Sequence, residues 1–182
     1  MPEIETERLR LRMYATKDAD DQFRITGDEE FRRYFPPHFF KPTRDNTLVA
    51  IGRVLEHWNQ LGFGYLVMEL KDEARMVGYC GLRRLMPTDE VELLYGIDRA
   101  QWGKGLTTEA ARASLRFGFE EMKFERIMAV THPENLGSRR VMEKCGLKYE
   151  KDAVYFETPV VYYAVNREDY RADDDAAYVL HP

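Results

Sequence analysis

The sequence predicts one α/β domain, of the α+β kind, built on a mixed and mostly antiparallel central sheet of about seven strands. Seven stretches alternate apolar with polar residues or are rich in strand-forming residues. Four other stretches repeat apolar residues every three or four positions, which is typical of helices. Three consecutive strand patterns are separated only by short turns, which join antiparallel neighbours but are too short for a parallel crossover. A chain of 182 residues can bury one substantial core.

The N-terminal third combines one strand with two helices. Charged and apolar side chains alternate over residues 8–14, which predicts the first strand. A helical pattern follows over residues 17–34, and prolines interrupt it in the segment 34–42. A second helix is predicted over residues 43–61, because its apolar residues share one face and Gly62 follows as a typical C-terminal stop.

The remaining elements begin with an antiparallel meander. Its strands are predicted at residues 63–70, 76–85 and 90–97. The later elements are a helix at 107–122, a strand at 126–131, a helix at 135–145 and a hairpin of strands at 148–156 and 160–165. We therefore expect a single domain over residues 1–170 and a loose acidic tail over residues 171–182.

Composition and charge exclude several classes of protein. The net charge of −5 gives no general attraction to nucleic acid, which proteins usually meet with clustered Lys and Arg. Cys80 and Cys145 have neither the spacing of a zinc site nor the number of a disulfide framework, so we expect no metal and a cytoplasmic location. The acidic start lacks a signal-peptide profile and no apolar run could span a bilayer, so we expect no membrane partner.

A glycine loop at residues 103–107 lies between a predicted strand and a predicted helix. Gly103 and Gly105 allow backbone amides to approach an anion closely, and the N-terminus of the next helix favours phosphate. Such a loop can bind a pyrophosphate, or it can be a plain turn that uses glycine for its geometry. The loop does not fit G-x-x-x-x-G-K-[ST], and Thr108 stands where the dinucleotide pattern G-x-G-x-x-G needs glycine.

Three motifs together resemble the GNAT superfamily of acyl-CoA N-acyltransferases. They are Glu-Leu-Leu-Tyr-Gly-Ile at residues 92–97, Trp-Gly-Lys-Gly-Leu-Thr-Thr-Glu-Ala at 102–110, and Asn-Leu-Gly-Ser-Arg-Arg-Val-Met-Glu-Lys-Cys-Gly-Leu at 135–147. The Glu-Thr-Glu-Arg-Leu-Arg-Leu-Arg start at residue 5 is similar to the branch that contains the ribosomal-protein alanine acetyltransferases RimJ and RimL. The resemblance implies helices on both faces of the sheet and a splay between the fourth and fifth predicted strands.

The resemblance also implies that the chain binds acetyl-CoA. Amides of the loop and of the following helix start would hold the pyrophosphate, and these residues are Trp102, Gly103, Lys104, Gly105, Leu106, Thr107 and Thr108. Leu93 and Tyr95 would pair with the pantetheine arm in the splay, and Asn135 and Ser138 would contact CoA. Arg139 would meet the 3′-phosphate or lie on a solvated basic helix face.

The reaction implied by the resemblance is transfer of the acetyl group to a primary amine. An unpaired amide of Leu93 or Leu94 would bind the thioester oxygen and stabilise the oxyanion formed on attack. Glu92 is the first candidate to accept the proton of the amine, directly or through water, and Glu157 is the second. Glu92 could equally be a structural carboxylate that supports its strand.

Fewer residues could return a proton to the leaving thiolate. Many members of the superfamily have a tyrosine where this chain has Met142, so that role is empty. Ser138 could protonate the thiolate, or its hydroxyl could satisfy an amide at the helix start. His132 could bridge a water to the amine or be a loop residue without a catalytic role. Cys145 is expected to pack in the core.

The acceptor is an amine whose identity the sequence leaves open. A peptide N-terminus and a small-molecule amine both fit, and the expected mechanism is direct attack in a ternary complex without a covalent enzyme intermediate. Residues 35–40 would form an aromatic wall of the acceptor site or an anchor of the core. A second hypothesis is a CoA-binding sensor or scaffold without turnover, and a homodimer is left open.

Overall fold

The computed structural model describes residues 2–35, 42–86, 88–155, 157–173 and 177–181. These ranges hold the strands β1 (Glu3–Glu5), β2 (Leu9–Arg12), β3 (Tyr65–Leu70), β4 (Arg75–Leu85), β5 (Glu90–Ile97), β6 (Arg126–Thr131), β7 (Lys148–Tyr155), β8 (Thr158–Asn166) and β9 (Val179–His181). They also hold the helices α1 (Ala19–Gly27), α2 (Glu29–Arg32), α3 (Arg44–Leu61), α4 (Leu106–Arg116) and α5 (Leu136–Lys144). None of these described helices is both long enough and apolar enough to cross a bilayer.

All nine described strands belong to one open sheet, in the order β7-β8-β6-β5-β4-β3-β2-β1-β9. Each neighbouring pair of described strands is antiparallel except β5 and β6. The predicted mixed and mostly antiparallel fold is therefore confirmed. The predicted number of about seven strands is too low, because β1 and β9 are three residues long and too short to show an alternating pattern.

The last described residues do not form the loose tail expected from their acidic composition. β9 pairs antiparallel with β1 and is the outermost described strand at this end of the sheet. Before β9, the ring of Tyr170 stacks on Phe119 with the ring centroids 4.6 Å apart, and Arg112 pairs with Asp173 at 2.6 Å. Backbone pairing and these side-chain contacts attach the described part of the tail to the domain.

The helices lie on both faces of the sheet, as expected. Neighbouring residues of a strand point to opposite faces. Cys80 of β4 lies 3.5 Å from Ser114 of α4, measured between Sγ and Oγ, whereas Tyr79 lines a cavity with residues of α1, α2 and α3. Tyr95 of β5 is the cross-strand partner of Cys80 and contacts Ser138 of α5. One face therefore carries α4 and α5, and Tyr79 meets the other helices on the opposite face.

The single helix expected over residues 17–34 is divided at Asp28. This residue has φ −63° and ψ 131°, and its carboxylate accepts a hydrogen bond from the N–H of Phe31 at 2.9 Å. An aspartate in this geometry caps a new helix, so α2 begins directly after it. The break brings Phe31 over β5, since a Cβ added to Gly96 would lie 2.7 Å from Phe31 Cζ.

The helix expected over residues 107–122 is α-helical only as far as Arg116. A π-helical turn spans Phe117–Glu121, and the N–H of Met122 bonds to the carbonyl of Phe117 at 3.1 Å. Gly118 lies against the sheet, where an added Cβ would stand 2.6 Å from Leu82 and 2.7 Å from Ile127. The absence of a side chain at Gly118 lets this turn pack closely on β4 and β6.

The strands β5 and β6 separate almost as soon as they meet. They share one register pair in the described chain, Glu92 with Met128. In contrast, β5 pairs with β4 along its full length, from Glu90 to Ile97. The splay expected between the fourth and fifth predicted strands therefore lies between β5 and β6, with Glu92 at its start.

Candidate active site

The glycine loop has the geometry of an anion-binding turn. Gly103 and Gly105 have φ angles of +77° and +80°, in the left-handed region that favours glycine. α4 begins directly after Gly105, and no side chain caps its first N–H groups. A Cβ added to Gly103 would meet no atom within 4 Å, so there is open space beside the loop. Uncapped amides at a helix N-terminus next to open space fit a pyrophosphate.

The other predicted loop residues are anchored to the chain just before them. The indole N–H of Trp102 donates to the carbonyl of Ile97 at 3.1 Å, although the side chain is well exposed. The Lys104 ammonium donates to the side-chain oxygen of Gln101 at 2.9 Å. Residues 106–108 form the first turn of α4. The loop is therefore fixed by hydrogen bonds within the protein.

A clamp formed by Arg8 and Glu109 fixes the loop to the N-terminal segment. The Arg8 guanidinium donates to the carbonyl of Lys104 at 2.9 Å and to the Glu109 carboxylate at 2.7 Å. The N–H of Arg8 and the hydroxyl of Thr6 donate to the same carboxylate at 2.8 and 2.6 Å. Glu109 lies in the first turn of α4, so the Arg8–Glu109 clamp holds the loop and the helix start together.

We expect Arg8→Ala to weaken CoA binding about tenfold, which corresponds to about 1.4 kcal/mol. The variant removes charge-assisted hydrogen bonds that shape the loop and a positive charge beside it. Isothermal titration with CoA measures the effect. Arg10→Ala is the matched control, because its side chain has the same exposure of 44% but pairs with Glu3. Equal affinities of Arg8→Ala and the wild type would contradict a role of the clamp in binding.

The residues predicted to meet the pantetheine arm and the thioester lie along the splay. Leu93 is buried, whereas Leu94 and Tyr95 are half-buried although β5 is an internal strand. Beyond Glu92, β5 has no register pair with β6 in the described chain, so this side of the strand borders the gap. Alternation along β5 places Leu94 on the face of Glu92, and Leu93 and Tyr95 on the face of α4 and α5.

Tyr95 and Ser138 are in contact between β5 and α5. The Tyr95 hydroxyl lies 2.9 Å from Ser138 Oγ and donates to the Ser138 carbonyl at 3.0 Å. Asn135 caps α5, because its side-chain oxygen accepts a hydrogen bond from the N–H of Ser138 at 3.1 Å. The side chain of Asn135, and not the Ser138 hydroxyl, thus satisfies this amide at the helix start.

The structure does not test the roles predicted for Arg139, as a contact of the 3′-phosphate, and for Glu157, as a second candidate base. Arg139 donates to the Tyr163 hydroxyl at 3.1 Å and to the carbonyl of Pro133 at 3.3 Å. It is therefore bound within the protein rather than simply solvated. Glu157 lies exposed in the turn between β7 and β8, with a φ angle of +60°.

Glu92 is a buried carboxylate at the start of the splay, with a relative exposure of 3%. Its Oε2 accepts a hydrogen bond from Nε of Arg83, the residue opposite it on β4, at 2.5 Å. Burial raises the pKa of Glu92 above its ordinary value, and the nearby Arg83 offsets only part of this effect. A carboxylate with a raised pKa on the strand that borders the splay is suited to accept a proton from an amine.

Glu90 lies on the same face of β5 but in a different environment. Its carboxylate accepts hydrogen bonds from the hydroxyls of Tyr162 at 2.6 Å and Tyr155 at 3.0 Å. Burial raises the pKa of Glu90, but these hydrogen bonds outweigh it and hold the pKa below its ordinary value. Of the two carboxylates, Glu92 is therefore the stronger base.

Aromatic side chains cover the splay on the face of Glu92. Phe31 lies over β5, and Tyr34 stacks on His132 after the end of β6, with the ring centroids 5.5 Å apart. Phe35 stacks on Phe31 at 5.7 Å. These contacts place Phe35, the start of the expected aromatic wall, beside Phe31, and its role in an acceptor site stays a prediction. Residues 36–40 of that wall lie outside the described residues.

Cys145 and Met142 are core residues. Burial raises the pKa of the Cys145 thiol to about 12, and its Sγ contacts the carbonyl of Thr108 at 3.7 Å. Cys145 is thus a packing residue, as expected. Met142 is 1% exposed. In the described ranges, no group of three or more His, Cys, Asp or Glu side chains is arranged to hold a metal ion.

Arg8, Glu109 and Arg83 are not among the site residues predicted from the sequence. Arg8 and Glu109 each stand in a motif that carries the family resemblance, which marks both segments, but neither motif indicates that the two residues pair. For Arg83 there was no comparable signal, because its position opposite Glu92 depends on the register of β4 and β5.

Residues 8–148 match a protein family described as an acetyltransferase (GNAT) domain. The uncharacterized N-acetyltransferase YnaD of Bacillus subtilis (strain 168) is 30% identical over 147 residues. This match covers 81% of the chain and 83% of YnaD.

Two solved structures resemble the fold. An acetyltransferase (GNAT family) from Bacillus anthracis is 28% identical, with a TM-score of 0.78 and coverage of 91% of this chain and 99% of the other. Mycobacterium smegmatis RimJ in complex with CoA-disulfide is 18% identical, with a TM-score of 0.77 and coverage of 92% and 88%. The likeness to RimJ is a likeness of fold.

Proposed function

Because the chain belongs to the acetyltransferase (GNAT) domain family, we propose that it transfers an acetyl group from acetyl-CoA to a primary amine by direct attack in a ternary complex. The observation that carries this proposal is the course of β5. This strand borders the splay, carries the buried carboxylate of Glu92 and leads through a short turn into the glycine loop. The proposed anion site, the gap and the proposed base are thus joined by one strand.

The donor site offers contacts for two portions of acetyl-CoA, the pyrophosphate and the pantetheine arm that carries the activated thioester. Amides of residues 103–108 would bind the pyrophosphate. The half-buried edge of β5 at Leu94 and Tyr95 would border the pantetheine arm. The complex of M. smegmatis RimJ with CoA-disulfide supports the proposal, since that protein has a similar fold.

The proposed reaction forms a bond between the amine nitrogen and the acetyl carbon and breaks the carbon–sulfur bond. The sulfur keeps the electron pair of the broken bond. Glu92 accepts the proton that the amine loses, directly or through a water. The amide of Leu94, or of Leu93, donates to the acetyl oxygen as that oxygen gains negative charge. No side chain is acylated, in keeping with the pKa of Cys145, which burial raises to about 12.

The acceptor, a peptide N-terminus or a small-molecule amine, would approach on the face of Glu92. Phe31 and Tyr34 border this approach. Aromatic walls with one buried carboxylate suit an amine that carries an apolar group close to its nitrogen.

Release of free thiol from acetyl-CoA, measured with a panel of amines that includes peptides with free N-termini, tests the proposed function. We expect release above the rate without protein for at least one amine, and acetylation of that amine by mass spectrometry. Binding of acetyl-CoA without turnover on the whole panel would instead favour a CoA sensor or scaffold. No binding would contradict both.

A further inference from the structure

Arg83 and Glu92 form an ion pair that leaves polar atoms of both side chains free. Nε of Arg83 donates to Oε2 of Glu92 at 2.5 Å. Among the described residues, Oε1 of Glu92 and both Nη atoms of Arg83 make no hydrogen bond. None of these three atoms belongs to the fully buried polar atoms that lack a partner, so all three reach open space. Although Glu92 is only 3% exposed, its free oxygen is therefore open to a ligand.

The pair lies at the start of the splay. Arg83 of β4 and Glu92 of β5 are register partners. Arg83 is four residues from Tyr79 on β4, so it lies on the same face of the sheet as Tyr79, opposite α4 and α5. Glu92 is also the residue at which β5 pairs with β6. The free atoms of the pair therefore lie beside the gap in which the acceptor amine is proposed to attack.

The pair offers a hydrogen-bond acceptor and a set of donors side by side. Oε1 of Glu92 can accept from an amine, and the planar guanidinium of Arg83 suits a carboxylate. Because the two side chains are in direct contact, a ligand that uses both must carry its amine and its anion close together. An α-amino acid meets this condition, since a single carbon joins its amine to its carboxylate.

The balance of charge favours the same kind of ligand. The Arg83–Glu92 pair is neutral as a whole, and so is an α-amino acid in its zwitterionic form. Within the described ranges, Arg83 forms an ion pair with Glu92 alone. When Glu92 accepts a proton, Arg83 is left without a counter-ion, which is costly for a half-buried cation. A carboxylate on the acceptor supplies that counter-ion, whereas the first peptide group of a peptide N-terminus does not.

The surface next to the pair is uncharged. Leu94 and Gly96 follow Glu92 on the same face of β5. Phe31 and Tyr79 meet above Gly96, where an added Cβ would lie 2.7 Å from Cζ of each ring. Burial raises the pKa of Tyr79 above its ordinary value, so its phenol stays neutral. A side chain that extends along β5 from the acceptor would therefore meet apolar and aromatic groups.

We propose that the acceptor is a free α-amino acid with an apolar side chain, whose carboxylate binds to Arg83 and whose amine binds to Glu92. This inference rests on the proposed function and narrows its acceptor. The ammonium group loses one proton to water and becomes a nucleophile. Its nitrogen then bonds to the acetyl carbon, the carbon–sulfur bond breaks with its electron pair on sulfur, and a second proton passes to Glu92 and from there to solvent. The carboxylate keeps its charge, and the products are an N-acetyl amino acid and CoA.

Thiol release with compounds that differ only in the carboxylate tests this inference. Phenylalanine, its amide and phenethylamine share one side chain, and only the amino acid carries the anion. We expect its kcat/KM to exceed that of the other two at least about tenfold, mainly through a lower KM, as is typical of a charge-assisted hydrogen bond. Leucine and its amide repeat the comparison. ε-Aminocaproate, whose amine and carboxylate are far apart, should react no better than phenethylamine.

Arg83→Gln should raise the KM for phenylalanine at least about tenfold and remove the preference over the amide. The rates are compared above the acid limb of the pH profile, because loss of Arg83 also moves that limb. Arg83→Lys, which keeps the cation, should retain part of the preference. Arg84→Gln is the matched control, because the side chain of Arg84 has the same exposure of 35% but pairs with Asp89.

Amides or peptides with free N-termini that react with the wild type as well as phenylalanine and leucine do would overturn the inference and leave the proposed function intact. This comparison needs no variant, so it decides the question even if Arg83→Gln fails to fold. An unchanged preference for the amino acid in a folded Arg83→Gln would also overturn it. If no compound with a primary amine is acetylated, the proposed function fails and this inference with it.

Discussion

Gly105→Glu is expected to abolish CoA binding, with a dissociation constant raised at least about 100-fold. The substitution places a negative side chain where the pyrophosphate is proposed to lie, and two like charges about 4 Å apart near a protein surface repel by about 4 kcal/mol. A Cβ at residue 105 meets only Nη2 of Arg8, at 3.5 Å, so steric disruption of the fold is small. Isothermal titration with CoA measures the loss.

Gly62→Glu is the matched control for this variant. Gly62 also has a left-handed backbone, with φ +72°, and a Cβ added there meets no atom within 4 Å. The control therefore carries the same new charge and a similar backbone strain at the end of α3. CoA binding by Gly105→Glu as tight as by Gly62→Glu would refute the assignment of the loop.

Glu92→Gln is expected to lower kcat by about 100-fold or more while CoA affinity stays unchanged. The amide keeps the size of the side chain but cannot accept the proton of the amine. The side chain of Arg83 is 35% exposed and can turn to solvent when its partner loses its charge. Steady-state kinetics with the best amine of the panel, together with CoA titration, separate the two effects. A wild-type kcat in Glu92→Gln would contradict the role of Glu92 as the base. Glu92 would then only support its strand.

The pH dependence gives this prediction a second readout. A base must be deprotonated, so kcat/KM falls as the pH drops through the pKa of Glu92. Burial raises that pKa, so the acid limb lies at a higher pH than for an exposed glutamate. Arg83→Gln removes the cation that opposes the effect of burial and should move the limb further up. Glu90→Gln is the opposite test, because the Glu90 carboxylate also raises the pKa of Glu92 and its removal should move the limb down.

Local patterns were sufficient to predict most of the fold. The alternation around Leu9 and Leu11 predicted β2, and both residues are fully buried. Gly62 was expected to stop a helix, and it caps α3 in a left-handed conformation. Where the signal was short or conflicted with a local cap, the prediction was wrong. The strands β1 and β9 are too short to show a period, and Asp28 starts a new helix inside a continuous helical pattern.

The candidate site was predictable where it lies within one segment. The strand, the glycine loop and the helix start follow one another in the chain. This order alone predicts an anion site at the N-terminus of the helix. Contacts between distant segments were not predictable, because they depend on how the sheet is assembled. Arg8 and Glu109 are 101 residues apart, and Tyr95 and Ser138 are 43 apart. No period or turn residue in either segment indicates its partner.

Thermal unfolding with and without acetyl-CoA tests the central claim, that the loop and the splay form a CoA site. At a concentration about 100 times the dissociation constant, acetyl-CoA should stabilise the fold by about 2.7 kcal/mol, which raises the melting temperature by roughly 5–10 °C. S-acetylpantetheine, which lacks the pyrophosphate, should give a much smaller shift at the same concentration. No shift with acetyl-CoA, or equal shifts with both compounds, would contradict the assignment of the glycine loop to the pyrophosphate.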